Sequence, residues 1–252
     1  MIELQITAAS RVGCVRSKNE DMILVGDNFV RNDKIKMEAN LNKCDRFMVA
    51  LADGMGGHKG GEVASSDTLH NLQFFFSDIP ATMSPGSFNE AIYEWLQSIN
   101  NTIDAKGRAD ADLLGMGTTL VALAYYGGEF YWMNCGDSRL YQLRNGVLSQ
   151  LTTDHSLSNL LGETQHSNVI TNCIGGGCKT SFIDLKCCTT EVQNSDLLLL
   201  CSDGLTDMVT DSQLRQFLLE GYDAEALCHA AEAEGGYDNV SVVLIKPVNY
   251  AS

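Results

Sequence analysis

Four aspartates, Asp53, Asp137, Asp203 and Asp238, lie in glycine- or asparagine-rich turns, each at one end of an apolar, strand-length stretch. The local strings are Ala52-Asp53-Gly54-Met55-Gly56-Gly57-His58, Cys135-Gly136-Asp137-Ser138-Arg139, Ser202-Asp203-Gly204-Leu205-Thr206-Asp207 and Gly236-Tyr237-Asp238-Asn239. A fifth acidic group, Asn19-Glu20-Asp21, stands directly before Met22-Ile23-Leu24-Val25. Short apolar runs bounded by turn residues read as buried strands. A carboxylate at the end of such a strand is anchored by the buried remainder, so strand ends that converge bring their charges with them. Uncompensated, those charges would repel one another and lose hydration at a cost of several kcal/mol. Two or three hard divalent cations remove that cost, because Mg²⁺ and Mn²⁺ favour carboxylate, carbonyl and water ligands. Each turn taken alone has an ordinary explanation, since Asp bonds its own backbone and Gly permits positive φ.

The rest of the chain shows how the strands are covered. Leu4 to Ala8 alternates like a half-buried strand, and Phe47 to Ala52 is a continuous apolar run. Residues 61–76 predict a helix that brings Leu69, Leu72, Phe75 and Phe76 to one side. A second helix is expected from Ser87 as N-cap, with Glu90 completing a capping box. Along it Phe88, Ile92, Trp95, Ile99 and Ile103 form one buried stripe. Residues 118–126, 130–135 and 138–144 then read as strands, and Asn145-Gly146 between Leu143 and Val147 predicts a hairpin. Further strands are expected at 181–192, 196–201 and 239–248, with helix in two pieces over 211–233 broken near Gly221. Strands and helices that come in blocks, without βαβ alternation, point to segregated layers and an α+β fold.

Composition narrows the partners. Of 252 residues 44% are hydrophobic and 19% charged, with a formal net charge of −15, which is globular rather than disordered. No basic stripe offers itself to a phosphate backbone, so no nucleic-acid partner is expected. No apolar run approaches the ~20 residues of a spanning helix, and Met1 to Ile6 has no basic start of a signal peptide, so no membrane association is expected either. The nine cysteines form no CxxC pair and read as reduced thiols of a cytoplasmic protein. Cys173 and Cys178, separated by a glycine-rich turn, could pair under oxidation, but chance spacing is the better reading of them. Cys187 and Cys188 should point to opposite faces of a strand. No linker interrupts the chain, which predicts a single domain over residues 1–252.

The chain resembles the metal-dependent serine/threonine protein phosphatases of type 2C, in their short bacterial form. The resemblance runs in order through Gly13-Cys14-Val15-Arg16-Ser17-Lys18-Asn19-Glu20-Asp21, the Asp53 loop with Gly61-Glu62-Val63-Ala64-Ser65, and Gly115-Met116-Gly117-Thr118-Thr119. It continues through the Asp137 loop, Leu151-Thr152-Thr153-Asp154-His155-Ser156, the Asp203 loop and Asp238-Asn239. It implies a central sandwich of two antiparallel sheets flanked by helices, in four αββα layers. It also implies metal-dependent hydrolysis of phosphoserine and phosphothreonine in proteins, with two core Mn²⁺ or Mg²⁺ ions and a weaker third. Asp53 then corresponds to the carboxylate bridging both core ions, the Gly54 carbonyl to a further ligand, and Asp203 and Asp238 to the remaining direct ligands. Glu20 and Asp21 correspond to residues that hold metal-bound waters, and Asp137 and Asp207, with Asp203 shared, to the third site. Arg16 corresponds to the arginine that grips the substrate phosphate, where a guanidinium can pair two oxygens. A water activated between two cations would attack phosphorus in line, so no cysteine nucleophile is needed.

Two positions depart from the family. Met55 stands where eukaryotic relatives carry histidine, which leaves His58 as the candidate general acid, or as a structural histidine of its loop. The flap over residues 156–173 is short. The expected partners are phosphorylated protein substrates and a serine/threonine kinase of the same pathway, the chain acting as a monomer. Two other readings are a phosphoprotein-binding module with little turnover and a dedicated phosphatase for an anti-sigma-factor antagonist. The presence of Asp53, Asp203, Asp238 and Arg16 speaks against the first.

Overall fold

A computed structural model of the chain describes residues 2–56, 60–162 and 169–248. In chain order the elements begin with β1 (Glu3–Arg11), β2 (Met22–Val25), β3 (Asn28–Val30), β4 (Lys34–Asn40), β5 (Arg46–Ala52) and β6 (Gly54–Met55). Helices α1 (Gly60–Asp78) and α2 (Pro85–Ala109) follow. Next come β7 (Gly117–Thr118), β8 (Leu120–Tyr126), β9 (Glu129–Cys135), β10 (Arg139–Arg144), β11 (Val147–Gln150) and the short α3 (Leu157–Leu161). Then come β12 (Ile174–Gly175), β13 (Asp184–Cys187), β14 (Leu197–Cys201), α4 (Asp203–Thr206), α5 (Asp211–Leu219), α6 (Ala224–Ala233) and β15 (Val240–Val248).

Two six-stranded sheets carry the fold, ordered β11-β10-β14-β15-β1-β4 and β13-β9-β8-β5-β2-β3. All their pairings are antiparallel. Alternate residues of each central strand point to opposite faces, and here both faces are covered. Ile23, Val49, Leu51 and Val121 of the second sheet meet Leu4, Ile6, Leu200 and Val243 of the first in the core between the sheets. Their sequence neighbours Leu24, Ala50 and Ala122 face outward, in one core with Leu69, Leu72, Phe88 and Ile92 of α1 and α2. On the other side Leu199, Val242 and Leu244 share a core with Leu214 and Leu218 of α5 and with Leu227 and Ala231 of α6. Three apolar interfaces thus separate four layers in the order helix, sheet, sheet, helix, as expected. Burial on both faces is also why β5, β8 and β14 read as unbroken apolar runs.

The helices match the sequence pattern with one correction. The stripe Phe88, Ile92, Trp95, Ile99 and Ile103 is buried, but the N-cap of α2 is Ser84, not Ser87. Ser84 Oγ accepts from the Ser87 N–H and Pro85 takes the first helical position, where a missing N–H costs nothing. The Asn145-Gly146 hairpin joins β10 to β11 with φ of 51° and 76°, the left-handed pair a two-residue hairpin turn requires. The strand expected over 181–192 shrinks to β13, because Phe182 N–H is held by Asn172 Oδ1 and the chain turns into a 3₁₀ segment at Thr189–Glu191. Cys187 is exposed and Cys188 buried, as their opposite facing predicts. Strands β3 and β4 have no counterpart in the sequence reading, because the edge strand β4 carries Lys34, Lys36 and Glu38 and presents no apolar run. Among the described residues no helix is long and apolar enough to cross a membrane.

Candidate metal centre

Register brings the acidic residues together. Across β2 and β5 the last pair is Met22↔Ala52, so one step further along Asp21 lies opposite Asp53. Across β10 and β14 the last pair is Arg139↔Cys201, and just beyond it Asp137 stands near enough to Asp203, at the start of α4, for the two to repel. Arg11↔Val240 ends the β1–β15 ladder, and its continuation sets Gly13 beside Asp238. Each sheet therefore delivers one pair of carboxylates, and Asp238 enters from the end of β15.

Backbone contacts lock these strand ends in place. The Asp53 N–H donates to Thr119 Oγ1 at 3.0 Å, while its carbonyl accepts from the Thr119 N–H at 2.9 Å and Thr118 Oγ1 at 2.8 Å. Arg31 Nε donates to the Asp21 carbonyl at 2.7 Å, and Ser202 Oγ donates to Asp21 Oδ2 at 3.0 Å. Asn239 is a hub: its Oδ1 accepts from the Glu20 N–H at 2.8 Å, and its amide donates to the carbonyls of Val12 at 2.9 Å and Lys18 at 2.8 Å. Two glycines are fixed by close approach. A Cβ on Gly54 would stand 2.1 Å from the Gly61 carbonyl oxygen, and one on Gly204 would stand 1.9 Å from that of Asn239.

The electrostatics are those of crowded, poorly compensated carboxylates. Burial pushes Asp53 well above the ordinary carboxylate range, and Asp21, Asp203, Asp137 and Asp238 push it further. Asp21 rises to about 7 and Asp137 to about 7, each chiefly through burial, with Asp203 repelling both. Asp203 rises to about 6 through burial and then through Asp207 and Asp238. Glu20 is also raised by burial, with Arg16 opposing. One oxygen of Asp21 and one of Asp137 are buried without a hydrogen-bond partner, a condition that ordinarily costs about 1–3 kcal/mol or more for a charged group. Arg16 sits 2.6 Å from Asp238, with side chains 57% and 40% exposed.

Among the described residues no three acidic, histidine or cysteine side chains already close on a common point as a ligand set. The chemistry of the donors nevertheless fits hard divalent cations: carboxylates and a glycine carbonyl, with partnerless buried oxygens and no soft ligand among them. The structure brings Asp21, Asp53, Asp137, Asp203 and Asp238 to one end of the sandwich, with Glu20 beside them. Asp207 is the exposed C-cap of α4, its N–H bonded to the Asp203 carbonyl at 2.8 Å. His58 lies outside the described residues. His155 is structural, its Nδ1 accepting from the Gly136 N–H at 3.1 Å and its Nε2 at 3.1 Å from Asp184. Sequence reasoning missed the supporting role of Thr119, Arg31, Ser202 and Asn239. Only Asn239 carried a signal, as the amide directly after Asp238.

Comparison with known proteins agrees with this architecture. The family model described as protein phosphatase 2C matches residues 25–233. The serine/threonine phosphatase stp of Listeria monocytogenes serotype 4b is 34% identical over 220 residues, which span 81% of this chain and 86% of that protein. The serine/threonine protein phosphatase PstP of Mycobacterium tuberculosis is 33% identical over 98% of this chain and 46% of its own length. Among solved structures, the S. agalactiae serine/threonine phosphatase superposes with a TM-score of 0.81 at 29% identity, covering 96% of this chain and 99% of that one. The catalytic domain of PstP in complex with two manganese ions superposes with a TM-score of 0.73 at 31% identity, covering 99% and 100%.

Proposed function

The chain belongs to the protein phosphatase 2C family, and from that premise we propose how its own residues carry the reaction. It is a metal-dependent enzyme that hydrolyses phosphoserine and phosphothreonine in proteins, with Mn²⁺ or Mg²⁺ in a dimetal centre. The observation that carries the residue assignment is the convergence of Asp21, Asp53, Asp137 and Asp203 at the ends of β2, β5, β10 and β14, close enough to repel one another, with partnerless buried oxygens on Asp21 and Asp137.

Asp53, the Gly54 carbonyl, Asp203 and Asp238 would hold the two core ions, with Asp53 serving both. Glu20 and Asp21 act one layer further out, through water. Asp137 and Asp207, sharing Asp203, form a weaker third site. Divalent cations held there would offset the carboxylate repulsion and would supply the Lewis acidity that makes water nucleophilic near neutral pH. The chain's own part is to fix these donors on buried strand ends and to hold the phosphate. Arg16 takes that second role. Its ion pair with Asp238 is half-exposed, and such pairs are worth at most about 1 kcal/mol. A phosphate dianion that offers two oxygens to one guanidinium competes with it readily. The substrates are phosphorylated proteins, the opposing enzyme is a serine/threonine kinase of the same pathway, and the chain works in the cytoplasm as a monomeric single domain.

The test is phosphate release from a phosphothreonine peptide with Mn²⁺ and with EDTA. Turnover should require the metal. Asp203→Ala should cost more than the ~10–100-fold typical of outer-layer partners, with an unchanged circular dichroism spectrum. Arg16→Ala should raise KM at least tenfold, the loss of ~1.5 kcal/mol or more from its charge-assisted hydrogen bonds to the phosphate. Full activity in Asp203→Ala would remove the metal assignment, and an unchanged KM in Arg16→Ala would give the phosphate to another cation.

A further inference from the structure

Cys173 and Cys178 bracket the turn of Gly175, Gly176 and Gly177, and their sulfurs stand 3.3 Å apart. We propose that this dithiol is a redox modification site that closes to a reversible disulfide in the native protein.

The turn is pre-shaped for closure. The Cys178 N–H donates to the Gly175 carbonyl at 3.0 Å. Asn100 holds both ends, accepting from the Gly175 N–H at 2.7 Å and donating to the Cys178 carbonyl at 3.2 Å. Ser181 Oγ ties the Cys173 carbonyl to the same amide. A disulfide needs its sulfurs about 2.05 Å apart, so bond formation asks for roughly 1.2 Å of approach inside a turn that is already closed. Glycine makes that cheap: Gly175, Gly176 and Gly177 have φ of 73°, 61° and 82°, a run that side chains rarely adopt.

The two thiols differ in access. Cys173 is 4% exposed and burial raises its pKa, whereas Cys178 is half-exposed. A peroxide therefore reaches Cys178 first. The Cys178 thiolate attacks one peroxide oxygen, hydroxide leaves, and the sulfur becomes a sulfenic acid. Cys173 sulfur then displaces the sulfenic hydroxyl, its proton leaves with that hydroxyl as water, and the S–S bond forms. In total two thiols and one hydrogen peroxide give one disulfide and two waters, and a reducing thiol reverses the change.

The site is coupled to the acidic centre by the small sheet β12-β7-β6. Ile174 pairs with Thr118, and Thr118 pairs with Gly54. The ring thus closes two strands away from Gly54 without touching any proposed ligand.

The test treats the native chain with hydrogen peroxide, blocks free thiols with N-ethylmaleimide, and analyses the tryptic fragment 145–179, whose only cysteines are Cys173 and Cys178. The fragment should lose two hydrogens and take up no label, and dithiothreitol should restore two labels. The oxidised chain should melt higher by roughly 4 °C, as a short closed ring predicts, and Cys178→Ser should show no such shift while keeping its phosphatase activity. The proposal is overturned if the fragment keeps both labels under conditions that consume the exposed Cys14, Cys44 and Cys187. It is equally overturned if Cys178 ends as a sulfinic acid with Cys173 still labelled, or linked to Cys135.

Discussion

Asp21 is fully buried, bonded through one oxygen to Ser202, and left without a partner on the other. Such a group is stable as an anion only if a cation arrives, and as a neutral acid otherwise. That choice fixes a pH dependence. Asp21 and Asp137 titrate near 7 and Asp203 near 6 in the folded chain, against 3.8 as the ordinary value. The folded state therefore binds more protons than the unfolded one between about pH 4 and 7. The stability these groups contribute is complete below pH 4 and is lost as pH rises through 6 to 7. With EDTA present, the melting temperature should fall by at least ~4 °C from pH 6 to pH 8, the shift that one to two kcal/mol gives a chain of this size. Saturating Mn²⁺ should flatten or reverse that slope, because the cation replaces the protons. An EDTA profile without that fall would mean that the carboxylates are better compensated than their burial indicates. At this scale the acidic residues were legible, since Asp beside Gly at the end of an apolar run is a local signal. The Arg16–Asp238 pair and the Asn239 hub were not, because each joins positions more than 200 residues apart.

Elements convert those residues into a site through register. Helix α4 places Asp203 in its first turn, with Gly204 pressed against the carbonyl of Asn239. Gly204→Ala should cost about 2–4 kcal/mol, because the neighbour in the way is backbone and cannot swing aside. It should also weaken Mn²⁺ binding, since Asp203 and Asp238 flank that contact. Both are checked by urea denaturation and metal titration of one variant, and a near-neutral result would mean that α4 can shift without consequence. Periodic elements were the legible ones: the α2 stripe, the Asn145-Gly146 hairpin and the split helix over 211–233 all correspond to observed structure. The Ser84 cap was misplaced because Ser87 with Glu90 offers an equally good local signature. β3 and β4 were missed because an edge strand with one wet face carries no apolar run.

At the scale of the whole molecule, three apolar interfaces hold four layers together, and the central one joins both carboxylate-bearing sheets. Neither sheet can leave without exposing that core, so calorimetry should show one cooperative transition. Ile6→Ala, in the middle of it, should move the entire transition down by the ~2–5 kcal/mol of a large-to-small core change. Two separable transitions would contradict the single-domain reading. The layer order was expected from blocks of strands and helices and from the family resemblance. Which strand pairs with which was not, because the pairing of β1 with β15 rests on contacts between distant parts of the chain and no local pattern records it. Asp53, Asp203 and Asp238 would make this end of the sandwich a dimetal centre. Calorimetric titration of Mn²⁺ into the metal-stripped chain and into Asp203→Ala tests it most directly. The wild-type chain should bind at least two ions, and the folded variant should lose at least one of the tighter pair. Equal stoichiometry and affinity in the two proteins would contradict it.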